Sequence, residues 1–202
     1  LRCNEPSFHT PSSFLDAAEQ LERLHDLGRA VRDRVGSDAD QCSSDIKLFV
    51  NLHALDLNDR TLFAPDGLLA RIASRVVLEI TERVSLDGVK QAVSRVGDLR
   101  AMGFQIAIDD LGAGYAGLTS YSQLEPDIAK IDMSLVRGID TSPRKQSIVR
   151  AMKLLFDELH TLVVAEGVET VAERDTLLRL GFDLFQGYLF AKPQRGFCIP
   201  NW

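Results

Sequence analysis

Six short apolar runs of this 202-residue chain carry, at or near their ends, residues that can do chemistry. Asn51 closes LFVN, Glu79 lies in VVLEI, and Asp109 and Asp110 close IAIDD. Lys130 and Asp132 lie in IAKID, Glu166 follows LVVA, and Gln186 follows DLF. Asparagine and carboxylates are hard oxygen donors, which select Mg2+ or Mn2+ over zinc or copper. Several carboxylates on one rim repel each other unless cations lie among them. A lysine on the same rim suits an anionic substrate or an oriented hydroxide. Such a set is suited to two-metal hydrolysis of a phosphate ester, with the cations about 3.5–4 Å apart.

Each residue alone also has an ordinary reading. Asn51 can start a turn, and Glu79 can face solvent from a strand. Glu82 can be a helix-start acid. Asp109 and Asp110, followed by Gly112, can form an Asx-turn, and strand alternation would point them in different directions. Glu166 and Glu169 can cap a helix together with Thr170, and Gln186 can be a buried amide. Their recurrence at successive strand ends favours a site. His9, His25, His53 and His160 show no ligand spacing. Cys3, Cys42 and Cys198 are far apart and form no CxxC, which reads as a reducing, cytoplasmic setting without structural zinc.

The elements that must position these residues follow from pattern. Strands are expected at Ile46–Leu52, Arg75–Ile80, Phe104–Asp110, Asp127–Asp132, Leu162–Gly167 and Asp183–Tyr188, each short and bounded by polar residues or turn formers. Helical stretches alternate with them. PSSFLDAAEQLERLHDLGRAVRDRV opens on a Pro-Ser-Ser cap, and SLDGVKQAVSRVGDLRAMG runs from Ser85 to a stop at Gly103. SPRKQSIVRAMKLLFDELH and TVAERDTLLRLG follow, the last ending at Gly181. Alternation of this kind implies a parallel sheet with right-handed crossovers. Six strands delivering polar groups to one rim favour a (β/α)8 barrel over an open sheet, whose site sits at one switch point.

Composition sets outer limits. Apolar residues make up 45% and charged residues 26%, as in a globular domain. No composition shift marks a second domain, so residues 1–202 read as one. The net charge of -6 argues against a general DNA-binding surface but not against a small phosphate ligand beside cations. No run approaches the ~18 apolar residues of a membrane span. The chain opens on Leu1 rather than methionine, so it is expected to be a piece of a larger protein.

The motifs also resemble a known family. IDDLGAGYAGLTSYSQLEPDIAKID is similar to the DDFGTGYSSL…KID signature of the EAL family of cyclic di-GMP phosphodiesterases. LEITE resembles its ELTE, AEGVET matches AEGVET, QGYLFAKP resembles QGYLFSKP, and FVNLHALDL resembles its VNLS segment. The opening LR, then PSSFLDAAE, resembles the end of EALLR and the P..FI..AE that follows it. The resemblance implies a (β/α)8 barrel of the EAL variety, lacking its first strand in this chain. It implies hydrolysis of cyclic di-GMP to linear pGpG with two Mg2+ or Mn2+ ions.

By the same resemblance, Asn51, Glu79 and Asp109 match ligands of one metal, and Asp109, Asp110 and Glu166 those of the other. Lys130 matches the lysine at the attacking water, with Asp132 nearby, and Glu166 also assists deprotonation. Leu1, Arg2, Glu169 and Gln186 match substrate-side positions, and Glu82 and Glu169 match loop-anchoring acids. Residues 111–123 match a mobile loop that couples dimerisation to metal binding, so a homodimer and an upstream sensory domain are implied partners. The departures are specific. The glutamate of Glu-Ala-Leu would lie three residues before Leu1, His53 replaces a serine, and Leu111 and Ala113 replace Phe and Thr. The alternative reading is an inactive EAL-like domain that binds cyclic di-GMP or a protein partner.

Overall fold

The computed structural model describes residues 11–81, 92–113, 117–194 and 196–197. Leu1, Arg2, Cys3, His9, Glu82, Ser85, Gly114 and Cys198 lie outside them. Six parallel strands pair strictly in chain order: β1 (Leu48–Leu52), β2 (Val76–Thr81), β3 (Gln105–Leu111), β4 (Ile128–Ile131), β5 (Leu162–Ala165) and β6 (Leu184–Phe185). Each expected strand is found, shortened or shifted by one to three residues at its ends. Among the described residues β1 and β6 are the sheet edges, so six strands stand against the eight of a closed barrel.

Period two sorts the side chains. Val76, Leu78, Ile80, Ile106, Ile108, Ala129, Ile131, Val163 and Ala165 face outward into the main core, under the helices. Val77, Ala107, Ile128 and Val164 face inward and form a second, smaller apolar cluster. Two residues further along those same four strands come Glu79, Asp109, Lys130 and Glu166. The polar set is therefore the next inward layer, resting on an apolar floor.

The helices are α1 (Pro11–Gln20), α2 (Leu24–Asp38), α3 (Ala92–Ala101), α4 (Gly117–Leu124), α5 (Met133–Val136), α6 (Pro143–Glu158) and α7 (Val171–Arg179). Three features differ from expectation. The first helical stretch is two helices: Glu22 takes φ 55°, Arg23 N–H donates to Ala18 O and Glu22 N–H to Glu19 O, a left-handed helix stop made without glycine. Between β1 and β2 the strand–helix alternation lapses into 3₁₀ segments, Ala54–Asn58, Arg60–Phe63 and Ala70–Arg75. His53 and Asp59 each accept a backbone N–H there, and Pro65 and Gly67 interrupt any longer helix. At α7, Thr170 forms a capping box with Glu173, not with Glu166 or Glu169. Among the described residues, no helix is long and apolar enough to cross a membrane.

Candidate metal centre

Lys130 is the hub of the rim. It is 2% exposed, and its Nζ lies 3.0 Å from Asp109 Oδ1, 2.5 Å from Glu166 Oε1, and against Glu79 Oε1. The three carboxylates offer oxygen atoms that all lie within 4.8 Å of one another. Glu79 on β2 and Glu166 just past β5 are three strands apart, roughly 14 Å in a flat sheet. Only a strongly curled sheet brings them together, so the barrel curvature is what builds the site. Among the described residues this is the only such grouping of three or more His, Cys, Asp or Glu side chains.

The electrostatics are unbalanced, with three acids against one ammonium. Burial, opposed by Lys130, pushes the Glu79 carboxyl above its ordinary range. Burial, again opposed by Lys130 and reinforced by Asp109, pushes Glu166 up to about 8. Burial would lower Lys130, but Glu79, Glu166 and Asp109 prevail and hold it above the usual lysine value. Glu79 Oε1 pairs with the ammonium that Asp109 and Glu166 also share. Three carboxylate oxygens within 4.8 Å of one another, with only one ammonium among them, fit a hard divalent cation.

The two adjacent aspartates are explained by a bulge. The β3–β4 register runs Ile108 to Ala129 and then Leu111 to Ile131, so β3 spends one extra residue at Asp109–Asp110. Asp110 takes φ 61°, a left-handed conformation tolerated by aspartate. Asp109 stays with Lys130, while Asp110 lines the neighbouring cleft. Alternation anticipates that the two side chains diverge, but no residue type near them announces the bulge.

Asn51, the residue before the last of β1, is in register with Glu79 and is exposed. A cleft of about 590 Å³ opens beside the cluster, walled by Asp110, Asp132, Arg137, Glu166, Glu169 and Gln186 among others. Asp132 caps α5 by accepting Ser134 N–H at 2.9 Å. Gln186 is fixed by its backbone, donating to Ala165 O at 2.9 Å and accepting from Val168 N–H at 3.0 Å. Glu169 pairs with Arg137 across the cleft wall. Arg137 was missed from sequence; its signal was a base five residues past Asp132, near the strand end. His53 Nδ1 accepts Leu55 N–H at 3.2 Å and caps a 3₁₀ turn. Leu1, Arg2 and Glu82 lie outside the described residues.

A family model for the EAL domain matches residues 2–193. The chain belongs to the EAL domain family. Within that family, the cyclic di-GMP phosphodiesterase PdeR of Escherichia coli K12 is 32% identical over 199 residues, covering 95% of this chain and 30% of PdeR. The PaMucR phosphodiesterase in a c-di-GMP complex superposes with a TM-score of 0.80 at 30% identity, over 92% of this chain and 84% of that one. Klebsiella pneumoniae BlrP1 in a manganese/cy-diGMP complex gives a TM-score of 0.79 at 32% identity, over 93% of this chain and 49% of that one. The chain spans between 16% and 30% of the length of curated relatives such as PdeR and PdeF. These EAL structures share the parallel strand–helix architecture of this chain.

Proposed function

We propose that this EAL domain hydrolyses cyclic di-GMP to linear pGpG. The observation that carries the reading is the convergence of Glu79, Asp109 and Glu166 on buried Lys130, in a family whose relatives include cyclic di-GMP phosphodiesterases. Asn51, Glu79 and Asp109 would hold one Mg2+ or Mn2+ ion, and Asp109, Asp110 and Glu166 a second. Bound there, the cations supply Lewis acidity and an acidified water. The chain's own groups do the rest. Lys130 Nζ orients the attacking water and places positive charge beside the phosphate oxygens. Glu166, as a carboxylate beside Lys130, accepts a proton from that water. The water oxygen bonds to phosphorus, the P–O3′ bond of one guanosine breaks, and the leaving 3′ oxygen takes up a proton from solvent while Glu166 returns its own to solvent. Gln186 and Glu169 meet the nucleotide in the cleft, and Asp132 holds α5 at its wall. Dimerisation and an upstream regulatory domain belong to the same reading.

The test is incubation of the chain with cyclic di-GMP in Mg2+, in Mn2+ and in chelator. Metal-dependent appearance of pGpG is expected. Saturable binding without turnover would make the domain a receptor. Neither binding nor turnover would overturn the reading.

A further inference from the structure

Glu173 lies outside the rim cluster, on the first turn of α7, and the residue is 4% exposed. Its two oxygens serve two different loops. Oε1 accepts Gly138 N–H at 2.9 Å, from the segment that follows α5. Oε2 accepts Glu169 N–H at 2.9 Å and Thr170 N–H at 3.1 Å, from the β5–α7 loop. Both loops line the cleft, one bringing Arg137 and the other Glu169, and these two side chains pair. The β5–α7 loop also packs closely on α5, since a Cβ added at Gly167 would come within 2.5 Å of Met133 Cβ. A helix cap needs only the Thr170 half of these contacts, so the bond to Gly138 is surplus to capping.

We propose that Glu173 is a positioning residue for substrate, whose carboxylate sets the spacing between Arg137 and Glu169 on the cleft wall. The inference rests on the reading of the cleft as a nucleotide site. Glu166 does not depend on this brace, because its own N–H donates to Ile131 O at 3.1 Å within the sheet. Glu169, by contrast, is held through its backbone by Glu173. Loss of the brace therefore acts on substrate binding and leaves the metal-side chemistry in place.

Glu173→Gln keeps size and shape but turns an amide donor toward one of the two loops. KM is expected to rise on the order of tenfold, with kcat within about twofold, as for loss of one charge-assisted hydrogen bond. Thr170→Ala is the comparator: it removes the cap but keeps the bridge, so it lowers thermal stability without raising KM. Amide hydrogen exchange supplies a readout free of catalysis, with faster exchange expected at Gly138, Glu169 and Thr170 and none gained in β4. If Glu173→Gln does not accumulate as folded protein, Glu173→Asp, too short to span both loops, carries the same measurements. An unchanged KM, equal changes in both variants, or unaltered exchange at the three amides would overturn the proposal. If the unaltered chain neither binds nor hydrolyses cyclic di-GMP, the functional reading fails while the exchange measurement still judges the brace.

Discussion

Two clusters of buried charge in this chain are built to opposite rules. On the rim, three carboxylates share one ammonium. Between α2 and the β1–β2 connection, Asp56 and Asp59 face Arg29 and Arg32 in nearly even balance. Arg29 donates twice to Asp59, at 2.9 and 2.8 Å, and Arg32 once at 2.6 Å; Thr61 N–H and Oγ1 complete the Asp59 shell. His25 Nδ1 lies 3.1 Å from Asp56 Oδ1. The balanced cluster fastens α2 to the sheet. In the unbalanced one, burial and mutual repulsion raise the Glu79 and Glu166 carboxyls above their ordinary range, and a bound cation would relieve that repulsion.

The contrast can be broken most sharply at the two aspartates. Asp109→Asn is expected to lower turnover by about 1000-fold, roughly 4 kcal/mol of barrier. In chelator the same change relieves repulsion, so the melting temperature should hold or rise by about 3 °C. Asp59→Asn should do the reverse, costing about 3 kcal/mol of stability by stranding Arg29 and Arg32, with activity per folded molecule unchanged. Denaturant titration and initial rates on both variants check this pair.

A smaller effect follows from pH. Hydrogen bonds from Arg29, opposed by burial and aided by Thr61, hold the Asp59 carboxyl well below the usual carboxylate range. A depressed folded value means that Asp59 binds protons more readily when unfolded. Its stabilisation is therefore complete above the unfolded value of about 4 and is lost as pH falls from there through the folded value. Acid unfolding of Asp59→Asn should lack that portion of the pH dependence. The smallest effect is expected for His53→Ala, which removes a half-exposed turn cap at a cost of about 0.5 kcal/mol and leaves turnover within about twofold.

How much of this was legible follows from range. The polar rim was readable because alternation is local: Val77 to Glu79, Ala107 to Asp109, Ile128 to Lys130 and Val164 to Glu166 are the same two-residue step. The family motifs added metal and substrate roles to those positions. The balanced cluster was not readable, since Arg29 and Asp59 are 30 residues apart and nothing local pairs them. The bulge at Asp109–Asp110 and the helix stop at Glu22 were hidden for another reason: both use left-handed backbone without glycine. Glu173 was half legible, because TVAE is a capping box in sequence while its bond to Gly138 exists only in three dimensions.

The central claim is that the rim is a divalent-cation site whose charge deficit the ion repairs. Calorimetric titration of the chelated chain with Mn2+, alongside Asp109→Asn, tests it most directly. Saturable binding of two ions per chain, with a rise in melting temperature that the variant lacks, is the expected result. Equal, non-saturating uptake by both proteins would contradict it.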